Sequence, residues 1–362
     1  MIAEAQSRFS GLEKGFQVGR RKKFAFPAVA AVAFATVLKD VGRCLCVPLV
    51  LPMSPRVRRT CCYCLTGEIP WPSEEYSSFE QACQEAVLRN RRLCLQAGSL
   101  AQLGDQSFQL RRNRDRLHIC GGDGAEGGSS VIEGSGHSVF NLAGRHCSLF
   151  LEGVTLRHTA SSAAGDGSDI GAAIFAMSKS RTELCNVSVT SLSGLGLWLV
   201  QSAELTAQRS SLLGCGRSGL AMFGHSVAKL ELCELATCAV HGACARGDTQ
   251  LTMRDCRVRD CGRRGVYAYQ RSKLLMRGCR VTGTRDAERA GVELAAARPG
   301  DGVSGCVEGC VVSQNAGAGI RLRGAVSHQL SDNSCSGNGG KDLLVERGSD
   351  NDAWPQAVTS LA

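Results

Sequence analysis

The sequence predicts an all-β fold, a parallel β-helix solenoid of about nine 23-residue rungs, and three observations predict it. The first is a ruler. Val187, Ser210, Cys233, Cys256 and Cys279 follow one another at 23-residue steps, Cys310 comes 31 residues later, and Asn333 comes 23 after that. The second is a pair of apolar ladders keyed to the ruler. Leu184, Ala207, Leu230, Met253, Met276, Val307 and Leu330 stand three residues before it, and Val189, Leu212, Leu235, Val258, Val281, Val312 and Cys335 two residues after. The third is a glycine nine residues after the ruler (Gly196, Gly219, Gly242, Gly265, Gly319), followed by a further alternating apolar stretch. Short alternating stretches broken by glycine read as strands. Three per rung, stacked at roughly 4.8 Å, give a rod about 40 Å long.

Residues 1–23 are polar, end in Arg20-Arg21-Lys22-Lys23, and read as a basic disordered tail. Residues 24–71 read as a helical segment. The apolar run Phe24–Leu38 is too short to span a bilayer, so no membrane span is expected. As a signal peptide it would carry a long leading region containing Glu4 and Glu13. Two short helices fit better, with Asp40 as N-cap of the second. The pattern Pro27, Val29, Val32, Val37, Leu38, Asp40, Val41, Gly42, Cys44, Val47 is similar to an F-box. It departs from one at Pro48, which stops the second helix early, and it lacks an Arg-Trp ending. A helical extension packed on the rod is the alternative. Cys44, Cys46, Cys61, Cys62 and Cys64 lack paired C-x-x-C spacing and a nearby histidine, so buried thiols are expected rather than a metal site.

Residues 72–116 hold a capping helix and entry strands. Ser77 or Ser78 is the expected N-cap, with Phe79, Ala82, Cys83 and Ala86 facing the core. A cap covers the unpaired strand edges at the end of a solenoid. Residues 117–346 are the β-helix. Leu117-His118-Ile119 and Val131-Ile132 open it, a loop of ten extra residues falls in 158–169, and the long step to Cys310 puts insertions near 286–289 and 297–302. Residues 347–362 are a tail.

The stretch from Leu117, LHICGGDGAEGGSSVIEGSGHSVFNLAGRHCSLFLEGVTLRH, resembles the first rungs of right-handed parallel β-helix proteins, and the segment before it resembles their capping helix. The resemblance covers about residues 72–345. It implies the handedness of the rod, but this fold hosts lyases, hydrolases, epimerases and binding modules alike. F-box proteins that carry a β-helix share the order of parts seen here.

Twenty cysteines and 43 glycines suit a narrow core of small side chains. Cys233, Cys256, Cys279 and Cys310 form one column, and Cys215, Cys238 and Cys261 another, continued by Thr284, Asn315 and Asn338. These read as reduced, core-filling thiols, which implies a reducing compartment, with asparagines hydrogen-bonded along the ladder. Of the net charge of +9, residues 1–70 carry +7, from eleven Lys/Arg against four Asp/Glu. The rod is near neutral, so nucleic acid is not an expected partner.

Carbohydrate-active β-helices need converging carboxylates. The outward columns holding Glu152, Glu231 and Glu308, and Glu234, place no two carboxylates on neighbouring rungs. No catalytic residue, cofactor or metal is therefore expected on the columns; Asp166, Asp169, Asp286 and Glu288 would serve any loop site. His241 reads as a turn residue. The expected surface is basic: Arg254 stacks on Arg277, Arg257 on Arg280, and Trp198 and Tyr267 share a further outward column. Arg with aromatic anchors suits an acidic or phosphorylated protein partner. The resulting expectation is a non-enzymatic, cytoplasmic or nuclear recognition module. Its implied role is adaptor in an SCF-type ubiquitin ligase, docking the linker subunit through residues 24–64. The alternative is a secreted carbohydrate-active enzyme or polysaccharide-binding rod.

Overall fold

The structure is a computed structural model and describes residues 67–122, 129–161, 171–296, 298 and 300–346, with the backbone of 359–361. The chain divides into two units, Met1–Cys64 and Leu65–Ala362, and every described residue lies in the second. Residues 24–64, which carry the F-box resemblance, are outside the described set, as are Asp166 and Asp169.

The second unit is a three-sided parallel stack. The rung-to-rung pairings run parallel, and from Leu184 to Leu330 they keep the register of the sequence ladders; the final strand, Thr359–Leu361, pairs with a register shift between Leu330 and Asn333. Leu184 pairs with Ala207, Leu230, Met253, Met276, Val307 and Leu330 in turn along the first side. Val189 pairs with Leu212, Leu235, Val258, Val281, Val312 and Cys335 along the second. Leu197, Leu220, Ala243, Val266, Val292 and Ile320 line the third, which has ten strands, one per rung. The inward column of each side is buried, apart from Cys335 at the C-terminal end, which is partly exposed. The stack begins before Leu117: Arg92–Leu95, Leu100–Gln102 and Phe108–Leu110 already form a rung.

The helix Phe79–Arg89 closes the N-terminal end. Ser78 is its N-cap, accepting the Gln81 N–H, and Asn90 ends it in the left-handed conformation. Phe79, Ala82, Cys83 and Ala86 are its buried residues, as the sequence pattern predicts, and Phe79 packs at 5.5 Å from Trp71.

The corners explain the ruler. The residue before each ruler position is left-handed: Asn186, Arg209, Leu232, Asp255, Gly278, Gly309 and Asp332 at the first corner. Gly214, Thr237, Asp260, Gly283, Gln314 and Gly337 do the same at the second. The ruler residue then turns inward. Where it is cysteine, its thiol donates to the carbonyl two residues back, as in Cys233 to Glu231 (3.3 Å) and Cys256 to Arg254 (3.2 Å). Where it is asparagine, the side chain bridges rungs: Asn333 Nδ2 donates to the Val307 carbonyl at 2.8 Å, and at the second corner Asn315 Nδ2 donates to Asn338 Oδ1 at 2.9 Å. None of the fifteen described cysteines is in a disulfide. At the turn glycines, rungs approach too closely for a side chain: a Cβ on Gly196 would lie 2.5 Å from the Gly219 oxygen.

Candidate functional site

The three sides differ outward. The first and second carry exposed charge. Arg254 and Arg277 are register partners on the first side, and Arg257 and Arg280 on the second. Trp198 and Tyr267 stand on the third, in one column with Ala221 and Cys244 between them. Corners therefore separate the six residues into three groups on three faces. The repulsion expected of stacked arginines is relieved in part, since Arg277 pairs with Glu308 at 2.8 Å. Among the described residues Arg254, Arg257 and Arg280 have no ion pair, and Glu234 instead takes Arg259 at 2.6 Å.

The third side concentrates aromatic and buried polar groups. Phe175 precedes Trp198 in the column, and their rings lie 4.9 Å apart. His137 reaches both rings at 6.5 Å. Ala221 and Cys244, 4% and 8% exposed, form a floor of small side chains beyond Trp198. Past that floor, Tyr267 and Tyr269 stack at 4.5 Å and 13° because alternate residues of one strand share a face.

Glu293 follows Tyr267 in the column, one rung on. Its carboxylate receives Arg264 Nε at 2.5 Å and Nη2 at 3.1 Å. The two side chains are only 0% and 7% exposed, so each is the condition for burying the other. The same guanidinium lies 4.0 Å over the Tyr267 ring, a cation–π contact. His241 packs 5.6 Å from Tyr267. Burial, then the positive charges of Arg264, Arg263 and Arg289, hold its pKa down to about 3, so it is neutral near pH 7. It is the first residue of the strand His241–Arg246 rather than a turn residue.

Five side-chain atoms on or beside this face are buried with no hydrogen-bond partner among the described residues: Asn141 Oδ1, Trp198 Nε1, His241 Nδ1, Arg289 Nε and Arg321 Nε. Two of the five belong to guanidinium groups that are otherwise engaged: Arg289 Nε lies 3.9 Å from Asp286 Oδ2, and Arg321 donates from Nη2 to Glu346 at 2.7 and 2.8 Å and from Nη1 to the Glu288 carbonyl at 2.8 Å. At the C-terminal end of the face is a hollow of about 430 Å³, lined by Arg289, Arg321, Lys341, Glu288 and Leu344 among others. Asp286 is engaged locally, accepting the Glu288 N–H at 3.0 Å. No group of three or more His, Cys, Asp or Glu that would hold a metal ion occurs among the described residues.

The sequence reading found Trp198 and Tyr267 but not Phe175, Glu293, Arg264 or Arg321. Continuing that one column by 23 residues backward, and by the 26-residue step of the insertion forward, reaches Phe175 and Glu293.

Residues 193–353 match the model of the right handed beta helix region. Among solved structures, the chain is similar to the A-module of a mannuronan C-5 epimerase from Azotobacter vinelandii: 15% identity, TM-score 0.58, covering 74% of this chain and 76% of that one. It is similar to an alginate lyase from a Paenibacillus strain: 10% identity, TM-score 0.52, covering 78% and 98%. It also resembles tailspike protein 2 of the Escherichia coli O157:H7 bacteriophage CAB120: 12% identity, TM-score 0.52, covering 74% of this chain but only 38% of the tailspike. No curated protein matches the chain. No helix among the described residues is long and apolar enough to cross a membrane. The stacked register, the family model and these likenesses agree on one architecture: the chain folds as a right-handed parallel β-helix.

Proposed function

We propose that the protein binds a polysaccharide along the outer face of its third sheet. The observation that carries this reading is the aromatic rings gathered on one face, Phe175 beside Trp198 and Tyr267 beside Tyr269, with Asn141 Oδ1, Trp198 Nε1 and His241 Nδ1 near them lacking hydrogen-bond partners among the described residues. A sugar ring offers both complements: apolar C–H faces that lie on aromatic rings, and hydroxyls that donate to or accept from isolated polar atoms. Lys341, with Arg289 and Arg321 beside it in pairs with Asp286 and Glu346, gives one end a cationic rim that favours an acidic polymer. Two of the similar structures are named for chemistry on mannuronan and on alginate, which supports the carbohydrate reading over a protein partner. His241, held neutral, serves as a hydrogen-bonding group and not as a charge.

The ubiquitin-ligase adaptor reading rests on residues 24–64, outside the described residues, and the comparisons lend it no support. The arginine patch loses force as one site because its members face three ways.

Calorimetric titration with alginate, polygalacturonate and neutral glucan oligomers tests the proposal. Binding of an acidic oligomer, weakened at least tenfold by Trp198→Ala or Tyr267→Ala with melting temperature retained, is the expected outcome. No binding to any of the three, or binding that both variants leave unchanged, would overturn it.

A further inference from the structure

Cys94 and Cys120 form a pair unlike the other stacked cysteines. They are direct register partners on adjacent strands of the first sheet. Their side chains point outward and are partly exposed. Their sulfurs lie 3.0 Å apart, with Cys120 donating to Cys94. Adjacent strands are about 4.8 Å apart, inside the Cα range of a disulfide. Bond formation therefore needs a sulfur movement of about 1 Å and no change of register. Cys120 Sγ also donates to the Leu93 carbonyl at 3.6 Å; the interior columns stack at the same spacing, but Cys233, Cys256, Cys279 and Cys310 are 4% exposed or less.

We propose that Cys94 and Cys120 are a site of reversible thiol oxidation that locks the first two rungs together. The inference is independent of the polysaccharide reading, since it concerns another sheet.

Polarity within the pair assigns the roles. The hydrogen bond from Cys120 holds the Cys94 thiol below its usual range, although burial and Glu68 oppose this, and Arg92 assists it. The same bond and burial push Cys120 up, with Glu152 adding to the rise. Cys94 is thus the attacking sulfur. With a low-molecular-weight disulfide as oxidant, the Cys94 thiolate attacks one sulfur and expels one thiolate, giving a mixed disulfide. Cys120 then gives up its proton to solvent and attacks Cys94 Sγ, expelling the second thiolate. The protein dithiol is oxidised by two electrons, and one small disulfide is reduced to two thiols. Cys185 lies two pairings beyond Cys120, past Glu152, and is too far to resolve the intermediate. Exposure makes the bond accessible to reduction, so the lock is reversible.

The test uses the full chain equilibrated in mixtures of glutathione and glutathione disulfide, acid-quenched, alkylated and mapped by mass spectrometry. The expected product is one cross-linked peptide pair containing Cys94 and Cys120, with Cys233, Cys256, Cys279 and Cys310 alkylated only after denaturation. Closing a loop of this length should raise Tm by roughly 5–10 °C. Cys120→Ser should accumulate glutathione on Cys94, and Cys185→Ser should leave the cross-link unchanged. The proposal is overturned if Cys94 and Cys120 stay separately alkylatable under oxidising conditions. It is equally overturned if Cys94 bonds instead to one of the cysteines in residues 44–64, or if the interior thiols oxidise first.

Discussion

Asn333 closes the cysteine column above Cys310: its Oδ1 accepts the Cys310 N–H at 2.9 Å while its Nδ2 donates to the Val307 carbonyl at 2.8 Å. One buried side chain thereby satisfies two backbone groups of the rung below. Asn333→Ala leaves both unpaired beside a void and should cost about 2–4 kcal/mol in urea unfolding. Asn333→Cys should cost well under half of that. A thiol already serves one position earlier, where Cys310 Sγ accepts the Cys279 N–H at 3.4 Å.

Leu232 occupies a left-handed corner at φ 54° with half its surface exposed. Its equivalents two and three rungs on are glycines. Leucine pays a steric penalty in that region and gains little burial in return. Leu232→Gly should raise stability by about 0.5–1 kcal/mol, read as a higher urea midpoint at unchanged slope. A loss of stability would show that its partial packing outweighs the strain.

Acid should weaken the rod through His241 and His118. Burial lowers both, to about 3 and about 4, with Arg264 assisting at the first and Arg92 at the second. The folded state therefore resists protonation while the unfolded state takes protons near 6.5. This contribution is complete above pH 6.5 and is lost as pH falls toward the folded values. Between pH 6.5 and 5 each histidine should remove roughly 1–2 kcal/mol. His241→Phe should flatten the dependence of Tm on pH over that window.

Glu293→Ala strands a buried guanidinium and should destabilise by about 3–5 kcal/mol, whereas replacing Arg264 and Glu293 together by apolar residues of similar size should cost much less. Chemical denaturation of the two single variants and the double variant gives the coupling directly. Additive losses would mean that the pair is not the reason either side chain is buried.

The rungs were readable from the chain because burial in a solenoid is a local, repeating statement. Leu184 and Leu230 face inward for the same reason 46 residues apart, and one αL position per corner fixes the phase at each turn. The capping helix was readable because Ser78 and the Phe79, Ala82, Cys83, Ala86 stripe obey a short-range rule. The candidate site was only half visible. Trp198 and Tyr267 are separated by three strand pairings, and Glu293, which anchors Arg264 beside them, arrives across an insertion that breaks the period. Arg264 and Glu293 meet at 2.5 Å although 29 residues separate them, an interval that matches no simple rung step. The arginine column pairs looked like one patch in the sequence because neighbours along a rung are close in number. A corner of a single left-handed residue turns Arg254 and Arg257 onto different sides.

That one-residue corner also governs how the stack responds to load. Because the chain winds the rod without threading any rung through another, tension on its two ends peels turns off singly from the termini. Each released turn of 23 residues should lengthen the tether by about 75 Å. A single-molecule extension trace would then be a sawtooth of equal teeth over the rungs from Leu184 to Met276, with longer teeth where 31 residues separate Cys279 from Cys310 and where Leu151 pairs with Leu184.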